Sequence, residues 1–535
     1  MYISKFSAFN YRSLKQVTIR FEKGKNVIVG KNNSGKSNII RGLDILIGEK
    51  FPTYIHITDN DYYTFEKIDL ETGEISEEIA ENFYLEIELE GRDVDEDLIK
   101  SIKKKTAFSK VKSLKNLYEK LENNDILINY DFFQNLDQIE NREEIDVIGR
   151  TATGYDIKTK WHSSNELLNL IQFSKIIKLF FSKSRSEEEK NGYGIIIIER
   201  DNSIWISHFV PKKLRDSLIT TTVISALRSH KEDLRLVHYT WFGKLIMGLW
   251  NKNKGIIEES SEKSYEQLIK EKSKEIKNIV DVVFDQQSQD IKLLLEGAIS
   301  HKSVNFKFIN DTKNELYKNI QLFVHDGIDR PLQEKGTGIQ SAIIIALFSM
   351  YCNNYHNSSS LLITEEPELY LHPQARRVIS AELEKYIEQA NSQQRQLIIS
   401  THSTDYLKNL DPYCITRVYK DSKNNCTVAK QLDIETSSQI TTELKRFLWS
   451  TNSELFFADK VILVEGGEVY LIPTIVDKIY SGKQLLDYDN ISVIRVNGKG
   501  SFLTYIKMLE CFNISYLVLG DLDCFKDEVQ KISKH

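Results

Sequence analysis

The stretch Val27-Ile28-Val29-Gly30-Lys31-Asn32-Asn33-Ser34-Gly35-Lys36-Ser37 restricts the fold more than any other. Its β-branched run predicts a short buried strand, and Asn38-Ile39-Ile40-Arg41 reads as the start of a helix. Strand, Gly-x-x-x-x-Gly-Lys-Ser and helix, in that order, make a phosphate-binding P-loop. The glycines let successive N–H groups face one anion, and the helix N-terminus adds partial positive charge. Gly30, Asn32, Asn33, Ser34, Gly35, Lys36, Ser37 and Asn38 are therefore candidates to hold ATP. Lys36 would reach the β- and γ-phosphates, and the Ser37 hydroxyl would ligate Mg2+. The bland alternative is a glycine turn.

At 535 residues the chain exceeds what one compact core usually serves, so two to four domains are expected, or one with large insertions. Lys and Arg number 71 against 77 Asp and Glu, a net charge of −6, which leaves any DNA contact to a local patch. Five cysteines form no Cys-x-x-Cys pair and no zinc-spaced cluster, which predicts a reducing compartment without structural zinc. The start, Met1-Tyr2-Ile3-Ser4-Lys5, has no apolar signal region, and no run is long enough to span a bilayer. A soluble cytoplasmic protein without a membrane partner is expected.

In chain order, Tyr2–Phe9 and Gln16–Phe21 read as strands around the turn Asn10-Tyr11-Arg12-Ser13-Leu14, and Phe83–Leu89 as another. Asp59-Asn60-Asp61 is left unassigned. Lys100 to Lys120 holds eight lysines, read as a solvated helix face in preference to a phosphate contact. Gly194–Ile198 and Ile204–Phe209 read as strands, and Leu214–Leu227 as a helix. Glu262–Glu296 carries one apolar stripe on a charged helix, to be buried in a homodimer interface or on its own domain.

Motifs then become dense. Lys335-Gly336-Thr337-Gly338-Ile339-Gln340 precedes an apolar helix, Ala342–Met350, and a glycine-bracketed hydroxyl at a helix start is an anion-binding geometry. Leu361-Leu362-Ile363-Thr364-Glu365-Glu366 is an apolar strand ending in two carboxylates: Glu365 to hold Mg2+, Glu366 to polarise attacking water. Gln396–Ser400 is the next buried strand, with His402 at its tip. Further on, a strand ends at Glu465 and another, Tyr516–Leu519, runs into Asp521-Leu522-Asp523. Carboxylates at the C-terminal ends of parallel strands converge on one crevice, and such a cluster needs cations to neutralise it. Two divalent ions bridged by carboxylates are the usual means of in-line phosphodiester hydrolysis.

The opening Phe9-Asn10-Tyr11-Arg12-Ser13-Leu14 with its P-loop resembles the ABC-type ATPases of the SMC and RecF branch. The resemblance implies that Arg12 lies near the nucleotide, a solvated arginine being the alternative. It also implies that Lys335, Gly336, Thr337, Gly338 and Gln340 form a signature reaching a partner's γ-phosphate, that Glu365 and Glu366 are a Walker B, and that His402 is the H-loop histidine. No glutamine stands where a Q-loop would fall, at Asp59–Asp61. Glu465, Asp521 and Asp523 resemble the metal ligands of Toprim domains, with Mg2+ or Mn2+ as the ion. An ABC head followed by Toprim resembles the OLD (overcoming lysogenization defect) nucleases, which include the nuclease subunit of Gabija and the OLD-type effectors of some retrons. Glu465-Gly466-Gly467-Glu468 is one residue shorter than the Toprim spacing, and Gly520 stands where Thr or Ser is common. His535 comes twelve residues after Asp523, before the further acidic ligands and lysine that the resemblance implies. The Toprim site is thus expected to be completed by further sequence or to be incomplete.

The expected fold is α/β. An ABC head (residues 1–100 and 301–445) carries a mostly helical, projecting dimerisation insertion (101–300), followed by a Rossmann-like Toprim domain (446–535). The expected function is an ATP-binding and ATP-hydrolysing, Mg2+-dependent DNA endonuclease used in anti-phage defence. Its implied partners are DNA, a second copy or a higher oligomer of itself, and a helicase-like protein or a retron reverse transcriptase with its msDNA. The alternative is a non-nucleolytic repair ATPase with a degenerate Toprim module.

Overall fold

The computed structural model describes residues 1–68, 75–111, 149–150, 156–185, 192–207, 209–224, 240–253, 255–257, 263–283, 322–325, 329–355, 359–369, 371–388, 394–408, 410–421, 425–432, 451–480, 484–496 and 498–521. The chain forms two compact units, Met1–Leu227 with His356–His535, and Arg228–Tyr355.

The first unit opens with β1 (Tyr2–Tyr11) and β2 (Leu14–Arg20), an antiparallel hairpin in which Tyr11 faces Leu14. Its two-residue turn places Arg12 at φ 49°, the left-handed conformation that tight hairpins demand. On β2, Leu14, Val17 and Ile19 are buried while Lys15, Gln16, Thr18 and Arg20 are exposed, the signature of a strand with one wet face. β3 (Gly24–Val29) then runs into the P-loop and helix α1 (Lys36–Ile47).

The chain continues with the small hairpin β4 (Thr64–Ile68) and β5 (Ile75–Ile79), then β6 (Asn82–Glu90), β7 (Thr106–Val111), β8 (Gly149–Arg150), β9 (Asp156–His162), β10 (Ser174–Ser184), β11 (Gly192–Glu199), β12 (Ile204–Ser207) and β13 (Thr220–Ile224). A nine-stranded antiparallel sheet runs in the order β2-β1-β6-β10-β11-β12-β7-β9-β8. The expectation of a mostly helical, projecting insertion over 101–300 is corrected for its first part, while the described residues from Trp241 to Val283 are mostly helical. Between Thr106 and Ile224 the described residues are largely strands, woven into the same sheet as β1 and β6. The helix expected at Leu214–Leu227 is a helix only over Lys212–Leu218. Thr220-Thr221-Thr222-Val223-Ile224, wholly β-branched, forms β13 instead. The lysine-rich segment is likewise not one helix face. Its helix ends at Lys100, and in the strand β7 Thr106, Phe108 and Ser109 are buried while Lys110 is exposed over the Trp205 ring; residues 112–120 lie outside the described residues.

In the second unit, β14 (Phe323–His325) and β15 (Asp329–Pro331) form a short hairpin. Helices cover Trp241–Asn253, Tyr265–Val283 and Thr337–Tyr355, and the first packs on the third. The remainder of the expected Glu262–Glu296 helix lies outside the described residues.

Back in the first unit, β16 (Ser360–Glu365), β17 (Arg395–Thr401), β18 (Ile415–Asp421) and β19 (Cys426–Gln431) build a second sheet, ordered β13-β16-β17-β3-β18-β19 and parallel except at β19. Helix α1 touches strands of both large sheets. Ile39, Leu43 and Leu46 of α1 join Phe6, Leu85, Leu179, Ile195, Ile363 and Ile398 in one core. A three-stranded parallel sheet, β21 (Ile491–Arg495), β20 (Lys460–Val464) and β22 (Ser515–Leu519), follows, with helices Glu468–Ile479 and Phe502–Cys511. Among the described residues no helix is long and apolar enough to cross a membrane.

Candidate nucleotide and metal centres

Strand register assembles the first centre. Glu365 pairs with Ser400 across β16 and β17, and Thr401 pairs with Val29 across β17 and β3. The C-terminal ends of three adjacent parallel strands therefore deliver Glu365-Glu366, Thr401-His402 and Gly30 side by side, where α/β sheets bind ligands. The loop after Gly30 needs its glycines. A Cβ on Gly30 would lie 2.1 Å from the Val418 carbonyl oxygen, and Gly35, at φ 106°, would meet Thr427 Oγ1 at 2.2 Å.

Lys36 Nζ donates to the carbonyls of Gly30 and Lys31, both at 2.9 Å, and lies 2.7 Å from His402 Nε2. Burial lowers its pKa to about 8, against the pull of Glu366, Glu368 and Glu365. His402 Nε2 is also 3.1 Å from Glu366 Oε1. Burial and the Lys36 ammonium hold the imidazole below its ordinary pKa, with Glu366 opposing. Glu366 itself sits at φ 46°, and its N–H donates to the Ser400 carbonyl at 2.8 Å. A left-handed glutamate costs on the order of 1–3 kcal/mol, so the surrounding strands hold it there. Lys36, Glu366 and His402 thus meet at the strand ends.

Arg12 is neither free nor simply solvated. Its guanidinium donates twice to Asp61 Oδ1, at 2.9 and 2.7 Å, and Nη1 approaches Asn38 Oδ1 at 3.5 Å. Asn38 Nδ2 donates to Ser13 Oγ at 2.7 Å. The hairpin turn is thereby laced to the first turn of α1, one residue beyond Ser37. Asp61, buried and also accepting from Thr58, was missed by the sequence reading. The signal was a carboxylate in the segment where a glutamine was sought.

The expected signature lies in the second unit. Gln340 Nε2 donates to the carbonyls of Gln333, 3.2 Å, and Lys335, 2.6 Å, closing the loop around Gly336 before the helix that begins at Thr337 and Gly338.

The second centre lies at the ends of β20 and β22. Val464 pairs with Leu519 in parallel, so Glu465 follows one strand and Gly520-Asp521 the other, on adjoining ends. Asp523 lies outside the described residues. Among the described residues no three His, Cys, Asp or Glu side chains gather as a metal site. Glu468 is turned inward on its own loop, accepting from the Gly466 N–H at 2.8 Å, so it caps the turn.

The two centres are tied together within the first unit. Arg417 of β18, buried, donates to the carbonyls of Phe512 and Asn513, at 3.1 and 3.2 Å, and of Ala458 at 3.0 Å. Lys31 of the P-loop pairs with Asp459, and the His402 ring lies 6.4 Å from that of Phe457.

A family model described as an AAA ATPase domain matches residues 1–407. The chain belongs to the AAA ATPase domain family. Residues 456–523 also match the TOPRIM domain of overcoming-lysogenization-defect-like proteins, the expected pairing of modules. The chain is 25% identical over 258 residues to the OLD nuclease of Thermus scotoductus, covering 47% of each chain. It is 28% identical over 236 residues to the Old nuclease of Escherichia phage P2, covering 41% of this chain and 39% of that one. It is 24% identical over 555 residues to Endonuclease GajA of Bacillus cereus, covering 97% of this chain and 73% of that one. The chain spans about half or less of the length of the first two relatives. The two domain matches imply use of a nucleotide and of divalent metal. Ser37 and Glu365 offer hard oxygen donors beside the P-loop, and Glu465 and Asp521 offer two more on adjoining strand ends.

Proposed function

We propose that this chain is an ATP-binding and ATP-hydrolysing, metal-dependent DNA endonuclease of the OLD type, whose Toprim centre is governed by its ATPase head. The observation that supports it best is the meeting of Lys36, Glu366 and His402 at three strand ends, in one unit with Glu465 and Asp521. In this reading the P-loop N–H groups and Lys36 hold the triphosphate. Glu366 orients and polarises the attacking water, and His402, kept neutral, hydrogen-bonds the γ-phosphate oxygens. Mg2+, when bound at Ser37 and Glu365, supplies charge neutralisation of the phosphates. Glu465, Asp521 and Asp523 hold Mg2+ or Mn2+ for phosphodiester hydrolysis. Lys335, Gly336, Thr337, Gly338 and Gln340 serve the ATP of a facing copy in a homodimer. The 24% identity to Endonuclease GajA supports a role in anti-phage defence. The partner in this reading is a helicase-like protein, or a retron reverse transcriptase with its msDNA.

The test incubates purified protein with plasmid DNA, ATP and Mg2+ or Mn2+. Nicking or linearisation is expected, lost in Asp521→Ala with ATP turnover retained. Glu366→Gln should bind ATP and fail to hydrolyse it. Intact plasmid beside robust ATPase activity would establish the non-nucleolytic alternative.

A further inference from the structure

Glu365-Glu366-Pro367-Glu368 places three carboxylates within four residues, and the reading above uses two of them. The third is the most deeply buried, with 6% of Glu368 exposed. Its Oε1 accepts from Thr401 Oγ1 at 2.7 Å and from the His402 backbone N–H at 2.6 Å. Its Oε2 is buried without a hydrogen-bond partner among the described residues. A carboxyl in that setting is costly to keep, since burial of an incompletely bonded polar oxygen is unfavourable. What it secures is local: Thr401 ends β17, and His402 is the first residue beyond the strand, where pairing no longer fixes the backbone. The Ser403 N–H in turn donates to Thr401 Oγ1 at 2.9 Å, so one carboxyl oxygen anchors the whole turn carrying the imidazole.

We propose that Glu368 is a positioning residue for ATP hydrolysis, clamping the Thr401–His402 turn so that the His402 imidazole is held against Lys36 and Glu366. The inference rests on the ATPase reading above. Glu368 acts through His402, not on the nucleotide. A displaced catalytic side chain typically costs on the order of 10²-fold in turnover, whereas nucleotide binding is set by the P-loop.

Five proteins decide it: wild type, Glu368→Ala, Glu368→Gln, His402→Ala and the Glu368→Ala/His402→Ala double variant that closes the cycle. Glu368→Ala is expected to lower kcat for ATP by about 30- to 100-fold with KM changed less than about threefold. Glu368→Gln keeps an acceptor oxygen and should restore kcat to within about fivefold of wild type, the remaining loss coming from its buried amide. In the His402→Ala background, Glu368→Ala should cost nothing further. Hydrogen exchange gives a readout independent of chemistry: the amide of His402 should exchange faster in Glu368→Ala and not in Glu368→Gln. An equal loss in both backgrounds, or an unchanged His402 amide in Glu368→Ala, overturns the proposal. A wild-type protein that binds ATP without turning it over sinks the hydrolysis reading, and the clamp is then decided by the exchange data alone.

Discussion

Arg417→Ala is expected to release the Toprim module from the ATPase head without unfolding either. The guanidinium makes three bonds to main-chain carbonyls, Phe512 and Asn513 from one nitrogen and Ala458 from the other. Hydrogen bonds to a charged group contribute about 1.5–3 kcal/mol each, an upper sum of about 4.5–9 kcal/mol. The bonds share one cation whose desolvation opposes them, so the net loss is smaller, about 3–5 kcal/mol, as for other broken buried charge contacts. Arg417→Lys offers a point charge without the planar fork and should recover about half of it. At 1.4 kcal/mol per decade, a loss of 3 kcal/mol speeds local opening by about 10²-fold. Amide exchange of Asn513, Ile514 and Asp459–Val461 should rise by that factor, while Val27–Val29 stays protected. ATP turnover should persist and any nucleotide control of DNA cutting should fade. Unchanged exchange at 513 and 459 would refute the reasoning.

Lys36→Met should weaken ATP binding by about 30-fold or more, since it removes the buried cation proposed to face the phosphates; wild-type affinity by calorimetry would place the nucleotide elsewhere. Lys178→Met should destabilise the nine-stranded sheet by about 3–5 kcal/mol in thermal or denaturant unfolding, because Lys178, 7% exposed, bonds Glu86 at 3.1 Å and Glu88 at 2.6 Å. Burial pushes the Glu88 carboxyl up, but Lys178 and Lys5 hold it below the ordinary 4.5. Its contribution is therefore complete above about pH 4.5 and lost as pH falls through the lower folded value, so acid should narrow the gap between wild type and variant.

The first centre was legible because its chemistry is local in sequence. The P-loop, Glu365-Glu366 and His402 each lie at the end of an apolar run, and parallel register does the rest. Asp61, Glu368 and Arg417 were not legible because their partners are far away in the chain: Arg12, His402 and Phe512. A polar residue that becomes buried through a distant partner leaves no periodic trace. The region from Thr106 to Ile224 failed for another reason. Gly194–Ile198 reads as a strand and is one, but Thr220–Ile224, taken into the expected Leu214–Leu227 helix, carries no alternation that separates strand from helix. Glu465 and Asp521 fell where strand ends predicted, while Glu468 turned out to bond its own loop.

The placement of β3 between β17 and β18 bears on how the protein is made. Val27–Val29 leave the ribosome early, yet both neighbours of that strand begin only at Arg395 and Ile415. At about 5–20 residues per second, a growing chain carries this apolar edge unpaired for on the order of 20–80 s. Until then the phosphate cradle has no floor, and a nascent chain stalled before Arg395 should be prone to clumping and blind to nucleotide.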